Sequence, residues 1–99
     1  MILIDSRPDT GTTVLGELQK LFIINNSLLK QIIISPASES TTYDFNITDV
    51  NGKNVYEETN CSGEFNQLVE VPIYGNIYLN IKNSSRDEEY SIILTFRKS

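Results

Sequence analysis

The stretch "TTYDFNITDVNGKNVYEE", residues 41–58, carries the clearest strand–turn–strand pattern of the chain. Apolar and polar side chains alternate along its first half, so that Tyr43, Phe45 and Ile47 lie on one face of an extended segment. An Asn-Gly pair at 51–52 follows, which is typical of a tight turn between antiparallel strands. The stretch therefore predicts a half-buried β-hairpin.

Two registers of this hairpin are compatible with the sequence. A two-residue loop at 51–52 places Tyr56 opposite Ile47. A three-residue loop with Gly52 in the left-handed region places Val55 opposite Ile47 instead. We favour the three-residue loop, because Val55 is the better core residue.

Short apolar segments bounded by turn residues recur along the chain after residue 16. Their spacing of roughly 8–12 residues is typical of a β-sandwich or a small barrel. The chain has thirteen Ile and a single Ala, a bias that favours strands over helices. The pattern predicts about seven antiparallel strands: 18–24, 28–35, 42–50, 54–58, 68–71, 76–82 and 89–98.

The last two predicted strands, 76–82 and 89–98, alternate so regularly that a pairing between them can be proposed. An antiparallel register aligns apolar residues in every inward pair, and a slip by one residue would bury polar side chains. In this register Tyr78 lies opposite Ile93, with both side chains facing away from the core. The predicted inward pairs are Ile81 with Tyr90, Leu79 with Ile92, and Ile77 with Leu94.

Length and charge limit the classes of partner. The 99 residues fit one domain, and the net charge of −5 argues against a nucleic acid partner, whose binding depends on clustered Lys and Arg. The longest apolar runs are too short to cross a membrane, and the first residues lack the pattern of a signal peptide. We therefore expect neither a nucleic acid nor a membrane as partner.

The chain contains few residues that carry out chemistry. It has no His, which excludes Ser-His-Asp triads and His-containing zinc sites, and a lone Cys61 cannot form an internal disulfide. Acidic neighbours should raise the pKa of Cys61 and make it unreactive, in what we expect to be a loop. "DVNGKN", residues 49–54, superficially resembles a calcium loop, but its Gly comes fourth instead of sixth. We expect no cofactor, no metal and no enzymatic activity.

The N-terminal segment, residues 1–15, does not resemble a central strand, because Pro8 and Gly11 interrupt it. We interpret it as an extended arm that precedes a sandwich domain at 16–99. Its apolar tip docks either on its own domain or on a neighbouring chain. The candidate partner-binding residues are Ile2, Leu3, Ile4, Arg7, Tyr78 and Ile93.

Three segments together resemble a known group of proteins: "TTYDFNITDVNGKNVY", "LVEVPIYGNIYLNIKNSS" and "YSIILTF". With the preceding "KQIIISPASES", they are similar to small virion proteins of tailed bacteriophages, over about residues 16–96. The resemblance implies an immunoglobulin-like β-sandwich that decorates or stabilises a capsid by binding the major capsid protein. It also implies location in the virion, after synthesis in the host cytoplasm.

Several alternatives remain open at this stage. The chain could associate with the tail or connector of a virion, or form a homo-oligomer. It could also be an accessory β-sandwich module that binds carbohydrate or calcium. All of these functions are non-enzymatic.

Overall fold

The structure is a computed structural model that describes residues 4–98, which contain eight strands and no helix. No helical segment in this range has the length and hydropathy that crossing a membrane requires. The strands are β1 (Ile4–Thr12), β2 (Leu18–Phe22), β3 (Ser27–Pro36), β4 (Thr42–Asp49), β5 (Asn54–Ser62), β6 (Phe65–Ile73), β7 (Ile77–Lys82) and β8 (Glu89–Lys98).

The eight strands form two four-stranded antiparallel sheets that pack face to face. Sheet 1 has the order β1-β8-β3-β6, and sheet 2 has the order β2-β7-β4-β5. The prediction of an all-β antiparallel sandwich is confirmed. The order is that of an eight-stranded jelly roll. It differs from an immunoglobulin sandwich, in which the first two strands share a sheet, because β1 and β2 lie in different sheets here.

The core lies between the sheets and is built from the inward half of each strand. The four aromatic residues predicted to point inward, Tyr43, Phe45, Tyr90 and Phe96, are all at most 2% exposed. Burial of such side chains supplies the main driving force for folding. The other buried apolar residues are Phe22, Ile24, Leu29, Ile32, Ile34, Ile47, Cys61, Ile73, Ile77, Leu79, Ile81, Ile92 and Leu94.

The predicted pairing of β7 with β8 is wrong, although the predicted inward residues of both strands are buried. β7 lies between β2 and β4 in sheet 2, whereas β8 lies between β1 and β3 in sheet 1. The two strands therefore contribute to the core from opposite sides. Apolar alternation is the same for strands that pair and for strands that pack across a core, so it could not distinguish the two arrangements.

The hairpin of β4 and β5 combines parts of both predicted registers. Gly52 has a φ of +85° in a loop closed by a backbone hydrogen bond from the Asp49 N–H to the Lys53 carbonyl, as favoured for the three-residue loop. A bulge in β5 nevertheless places Tyr56, not Val55, opposite Ile47. The extra residue shifts the register of the strand and changes which side chain faces the partner strand, as bulges commonly do. The preference for Val55 at this position was therefore wrong.

The N-terminal segment is not an arm separate from the sandwich over the residues that the structure describes. β1 pairs with β8 along its whole length as the edge strand of sheet 1, which brings the strand count to eight. Pro8 is tolerated there because an edge strand leaves one side of its backbone unpaired. For residues 4–12 this decides the docking alternatives in favour of the chain's own domain.

Tyr43 joins the two sheets inside the core. Its ring, from sheet 2, lies edge to face with Tyr90 of sheet 1, at 5.4 Å between ring centroids. Its hydroxyl donates a hydrogen bond to the carbonyl of Gly63 at 2.8 Å. Burial is the main cause that raises the pKa of Tyr43 well above its ordinary value, so the hydroxyl remains a donor. Gly63 has little room to change, because a Cβ there would lie 2.9 Å from the Glu39 carbonyl oxygen.

Replacing Tyr43→Phe should destabilise the fold by about 1–3 kcal/mol, because the buried Gly63 carbonyl loses its donor. The free energy of unfolding, measured by urea titration, tests this expectation. The matched control is Tyr74→Phe, whose parent residue is 81% exposed and should change stability by less than about 0.5 kcal/mol. Equal effects of the two substitutions would show that the Tyr43 hydroxyl contributes nothing.

Candidate functional site

Groups able to carry out covalent or metal chemistry are held in structural roles. Cys61 lies in β5 and not in a loop as predicted, and burial, followed by Glu58 and Asp44, raises the pKa of its thiol. The Asp49 carboxylate accepts the backbone N–H groups of Asn51 and Lys53, each at 2.9 Å, which closes the hairpin turn. Within residues 4–98 no three side chains of His, Cys, Asp or Glu are grouped as a metal site.

The outer face of sheet 1 carries few charged residues, and we call it the neutral face. Register places Pro8, Ile93 and Ile33 side by side on β1, β8 and β3, which gives an apolar strip across these three strands. Small neutral residues occupy much of the rest. The neutral face consists of Ile4, Ser6, Pro8, Thr10, Thr12, Leu28, Lys30, Gln31, Ile33, Ser35, Asn66, Leu68, Glu70, Pro72, Glu89, Ser91, Ile93, Thr95 and Arg97.

Charge is distributed unevenly between the neutral face and the remainder of the chain. Only two of the thirteen acidic residues, Glu70 and Glu89, lie at outward strand positions of this face, and Glu70 pairs with Lys30 at 2.7 Å. The Lys30 contact lowers the pKa of Glu70 and keeps the carboxylate ionised. With Arg97, the face has two basic and two acidic groups, a formal charge of 0 on a chain of −5. The negative charge is therefore carried elsewhere.

Two shallow recesses indent one end of the neutral face. The larger, of about 520 Å³, lies between Ile4 and Leu68, which are 69% and 78% exposed. The smaller, of about 240 Å³, lies beside Leu28 and Pro72. Exposed apolar side chains next to a recess are typical of surfaces that bind other proteins.

The four edge strands are poorly suited to accept a strand from another chain. β1 and β6 contain Pro8 and Pro72, which lack the N–H that a pairing strand needs. β5 is interrupted by two bulges, and β2 has only five residues. Association through the described part of the chain is therefore favoured at the faces of the sandwich and disfavoured at its edges.

The six predicted partner-binding residues do not form one site. Ile2 and Leu3 lie outside the described residues, and Ile4 and Ile93 lie on the neutral face. Arg7 contacts Asp5 at 2.8 Å and donates to the carbonyl of Ile23 at 3.2 Å, so it ties β1 to the segment after β2.

Tyr78 and Ile93 are not opposite one another, which corrects the predicted pair. Tyr78 points outward from sheet 2, where it neighbours Leu21 and Thr48. Ile93 points outward from sheet 1, on the other side of the sandwich. Both are outward as predicted, but the wrong pairing of their strands placed them together.

Sequence reasoning identified only Ile4 and Ile93 of the neutral face and missed the others, among them Pro8, Ile33 and Leu68. The signal for Ile33 was present in the run Ile32 to Ile34, because three consecutive apolar residues in a strand must direct one outward. Pro8 and Leu68 carried no comparable signal, since their positions depend on which strands neighbour β1 and β6.

No protein-family model and no curated protein matches the chain. Among solved structures it is similar to a carbohydrate-binding module, CBM36, in complex with calcium and xylotriose, at 10% identity and a TM-score of 0.42, over 90% of this chain and 78% of that chain. The chain is also similar to part of the structures of two strains of infectious bursal disease virus. The Gx strain has 10% identity and a TM-score of 0.37, and the Gt strain 12% and 0.36. These two matches cover 96% and 99% of this chain but only 32% and 33% of the viral chains.

Asp44 is a carboxylate with a structural role near the start of β4, a central strand of sheet 2. It accepts the backbone N–H of Asn60 at 2.8 Å and a side-chain N–H of Asn83 at 2.6 Å. Asn60 and Asn83 have φ values of 56° and 55°, so Asp44 supports two residues in the left-handed region. The Asn60 bond first, and then the Asn83 bond, lower the pKa of Asp44.

Replacing Asp44→Asn should lower the melting temperature at pH 7, because one of the two donors then faces an amide N–H₂ group. A lowered pKa in the folded state stabilises the fold above the ordinary value of 3.8, and this contribution is lost as pH falls through the folded pKa. The gap in melting temperature between wild type and variant should therefore narrow below pH 3.8. Thermal unfolding followed by circular dichroism across this range measures it.

The matched control for Asp44→Asn is Glu57→Gln, which removes the same charge from the neighbouring strand without breaking a hydrogen bond within residues 4–98. It should shift the melting temperature much less at pH 7. A difference in melting temperature between wild type and Asp44→Asn that does not change with pH would contradict the role assigned to the carboxylate.

Proposed function

We propose that the protein is a non-enzymatic structural protein of a virus particle, and that it binds the major capsid protein through the neutral face. The observation that carries this proposal is the apolar strip of Pro8, Ile33 and Ile93 on an almost uncharged sheet face. The resemblance to capsid-associated proteins of tailed bacteriophages supports the same partner. Jelly rolls occur in viral capsids and in lectins alike, so the fold by itself does not choose the function.

The chemistry of the neutral face fits a protein surface as its occupant. Binding there removes the apolar strip residues from water, and the acidic group nearest the larger recess, Glu70, is already paired with Lys30. Arg97 remains at the rim, where it can pair with an acidic group of a capsid protein. A nucleic acid would instead require several basic groups on one surface.

The rest of the molecule is suited to face away from the particle. The negative charge outside the neutral face keeps neighbouring copies soluble and separates them electrostatically. A capsid offers many identical sites, so a modest affinity per site is sufficient to cover it with this protein at moderate concentration.

Substitution Leu68→Lys should weaken binding to the capsid by about tenfold or more, because it places an unpaired charge beside the apolar recess. The measurement is co-sedimentation with DNA-free shells assembled from the major capsid protein of the same virus. Leu68 is 78% exposed, so the variant should fold normally, which its melting temperature verifies.

Ile93→Lys, in the centre of the apolar strip, should abolish co-sedimentation. The control is Val14→Lys, which adds the same charge at a residue 71% exposed and outside the neutral face. If both neutral-face variants bind the shells as strongly as wild type does, the interface lies on another surface of the protein. Wild-type protein that never co-sediments would overturn the proposed function.

A further inference from the structure

The outer face of sheet 2 differs in chemistry from the neutral face. Register aligns Gln19 on β2, Asn80 on β7, Asn46 on β4 and Glu57 on β5 in one row across all four strands. We call these four residues the amide row. Strands in a sheet lie about 4.8 Å apart, so the row spans about 14 Å. That length accommodates a few linked sugar rings.

Hydrogen bonds fix the side chains around the amide row before any ligand arrives. Gln19 donates to the Asn80 amide oxygen at 2.8 Å, and Asn80 donates to the Thr48 hydroxyl at 3.3 Å. Asn46 donates to the Asn54 amide oxygen at 2.9 Å. Asn80 is only 9% exposed, so its orientation is set by packing as well. Fixed polar groups lose little conformational entropy on binding.

The amide row keeps hydrogen-bonding capacity after these contacts. A primary amide has two N–H donors and an acceptor oxygen, and each amide of the row uses only part of this set within residues 4–98. The row therefore offers both donors and acceptors on one surface. A pair of adjacent sugar hydroxyls, each of which both donates and accepts, is complementary to such a surface.

The shape of the surface favours an elongated ligand. A recess of about 530 Å³ lies along Gln19, Asn80 and Asn46, and a second of about 120 Å³ continues from Asn46 to Glu57. Lys82 lines both recesses. Tyr78 lies outside the lining of both recesses, but it is half-buried on the same outer face, two residues along β7 from Asn80. Aromatic rings that combine apolar area with a polar tip commonly anchor partly polar ligands.

The charge of this surface disfavours other occupants. The two recesses are lined by four acidic residues and one basic residue, Lys82, and the Asp44 carboxylate is engaged by Asn60 and Asn83. The surface is therefore polar and acidic, which disfavours anionic ligands, and its carboxylates can accept hydrogen bonds from the hydroxyls of an uncharged polar polymer. From these observations we propose that the outer face of sheet 2 binds a neutral oligosaccharide, with the amide row supplying the hydrogen bonds and Tyr78 the ring contact.

The test is a titration of the isolated ¹⁵N-labelled protein with cellohexaose, xylohexaose and mannohexaose, followed by NMR. At least one hexasaccharide should produce saturable shifts in the side-chain amide signals of Gln19, Asn80 and Asn46 at millimolar concentrations. Gln19→Ala should weaken this binding about tenfold, because it removes a hydrogen-bonding group from the row. Tyr78→Ala should weaken it similarly, whereas Tyr78→Phe should retain it.

The matched control is Gln31→Ala, because Gln31 donates to Asn66 at 2.8 Å on the neutral face, in the same type of amide pair as Gln19 and Asn80. This variant should bind the sugar like wild type. The absence of shifts with all three hexasaccharides, or equal losses for Gln19→Ala and Gln31→Ala, would overturn the proposal. Leu68→Lys should bind sugar normally, so failure of capsid binding and failure of sugar binding are distinguishable.

Discussion

The constraint on which this structure depends is that each sheet buries one face against the other. A four-stranded sheet with one apolar side is not stable in water, and packing two such sheets removes both apolar sides at once. The inward half of the central strands is therefore apolar almost without exception. The Tyr43 hydroxyl, a polar group that enters the core, is satisfied there by the Gly63 carbonyl.

This constraint explains how much of the fold could be read from the sequence. Side chains in a strand alternate, so the apolar positions of β4, β7 and β8 identified their buried sides correctly. The neighbour of each strand is fixed by backbone hydrogen bonds, which all residues make alike. The six residues between β7 and β8 can close a hairpin or cross between sheets, and in the structure they cross, with each strand central in its own sheet.

β1 shows where the alternation signal fails. Its inward positions are Asp5, Arg7, Asp9 and Gly11, which face the edge of the sandwich and not its centre. Asp9 pairs with Lys20 of β2 at 3.5 Å, and Gly11 lies so close to Leu18 that an added Cβ would be 2.8 Å from that side chain. This edge strand is held by polar contacts and by close backbone approach, so its sequence shows no alternation of apolar and polar residues. For this reason the sequence predicts an arm there and not a strand.

The outward side chains of each strand are free of the packing constraint, and the two sheets differ in the chemistry of these side chains. Apolar residues at outward positions, such as Ile33 and Ile93, gain nothing from the chain's own core and lower its solubility unless another surface covers them. The amide row, by contrast, is fully compatible with water and binds only by exchanging one set of hydrogen bonds for another. Neither set is visible as a group in the sequence, because Gln19, Asn46 and Asn80 are brought together only by cross-strand register.

The placement of these faces on opposite sides of one sandwich has a mechanical consequence. A partner on the neutral face buries sheet 1 and leaves the outer face of sheet 2 directed away from it, so the two surfaces can be occupied at the same time. Because the sheets are joined through a close-packed core, contact on one side cannot readily distort the other. The two proposed contacts, a hydrophobic one on the neutral face and a polar one on the amide row, are thus separated by the thickness of two sheets.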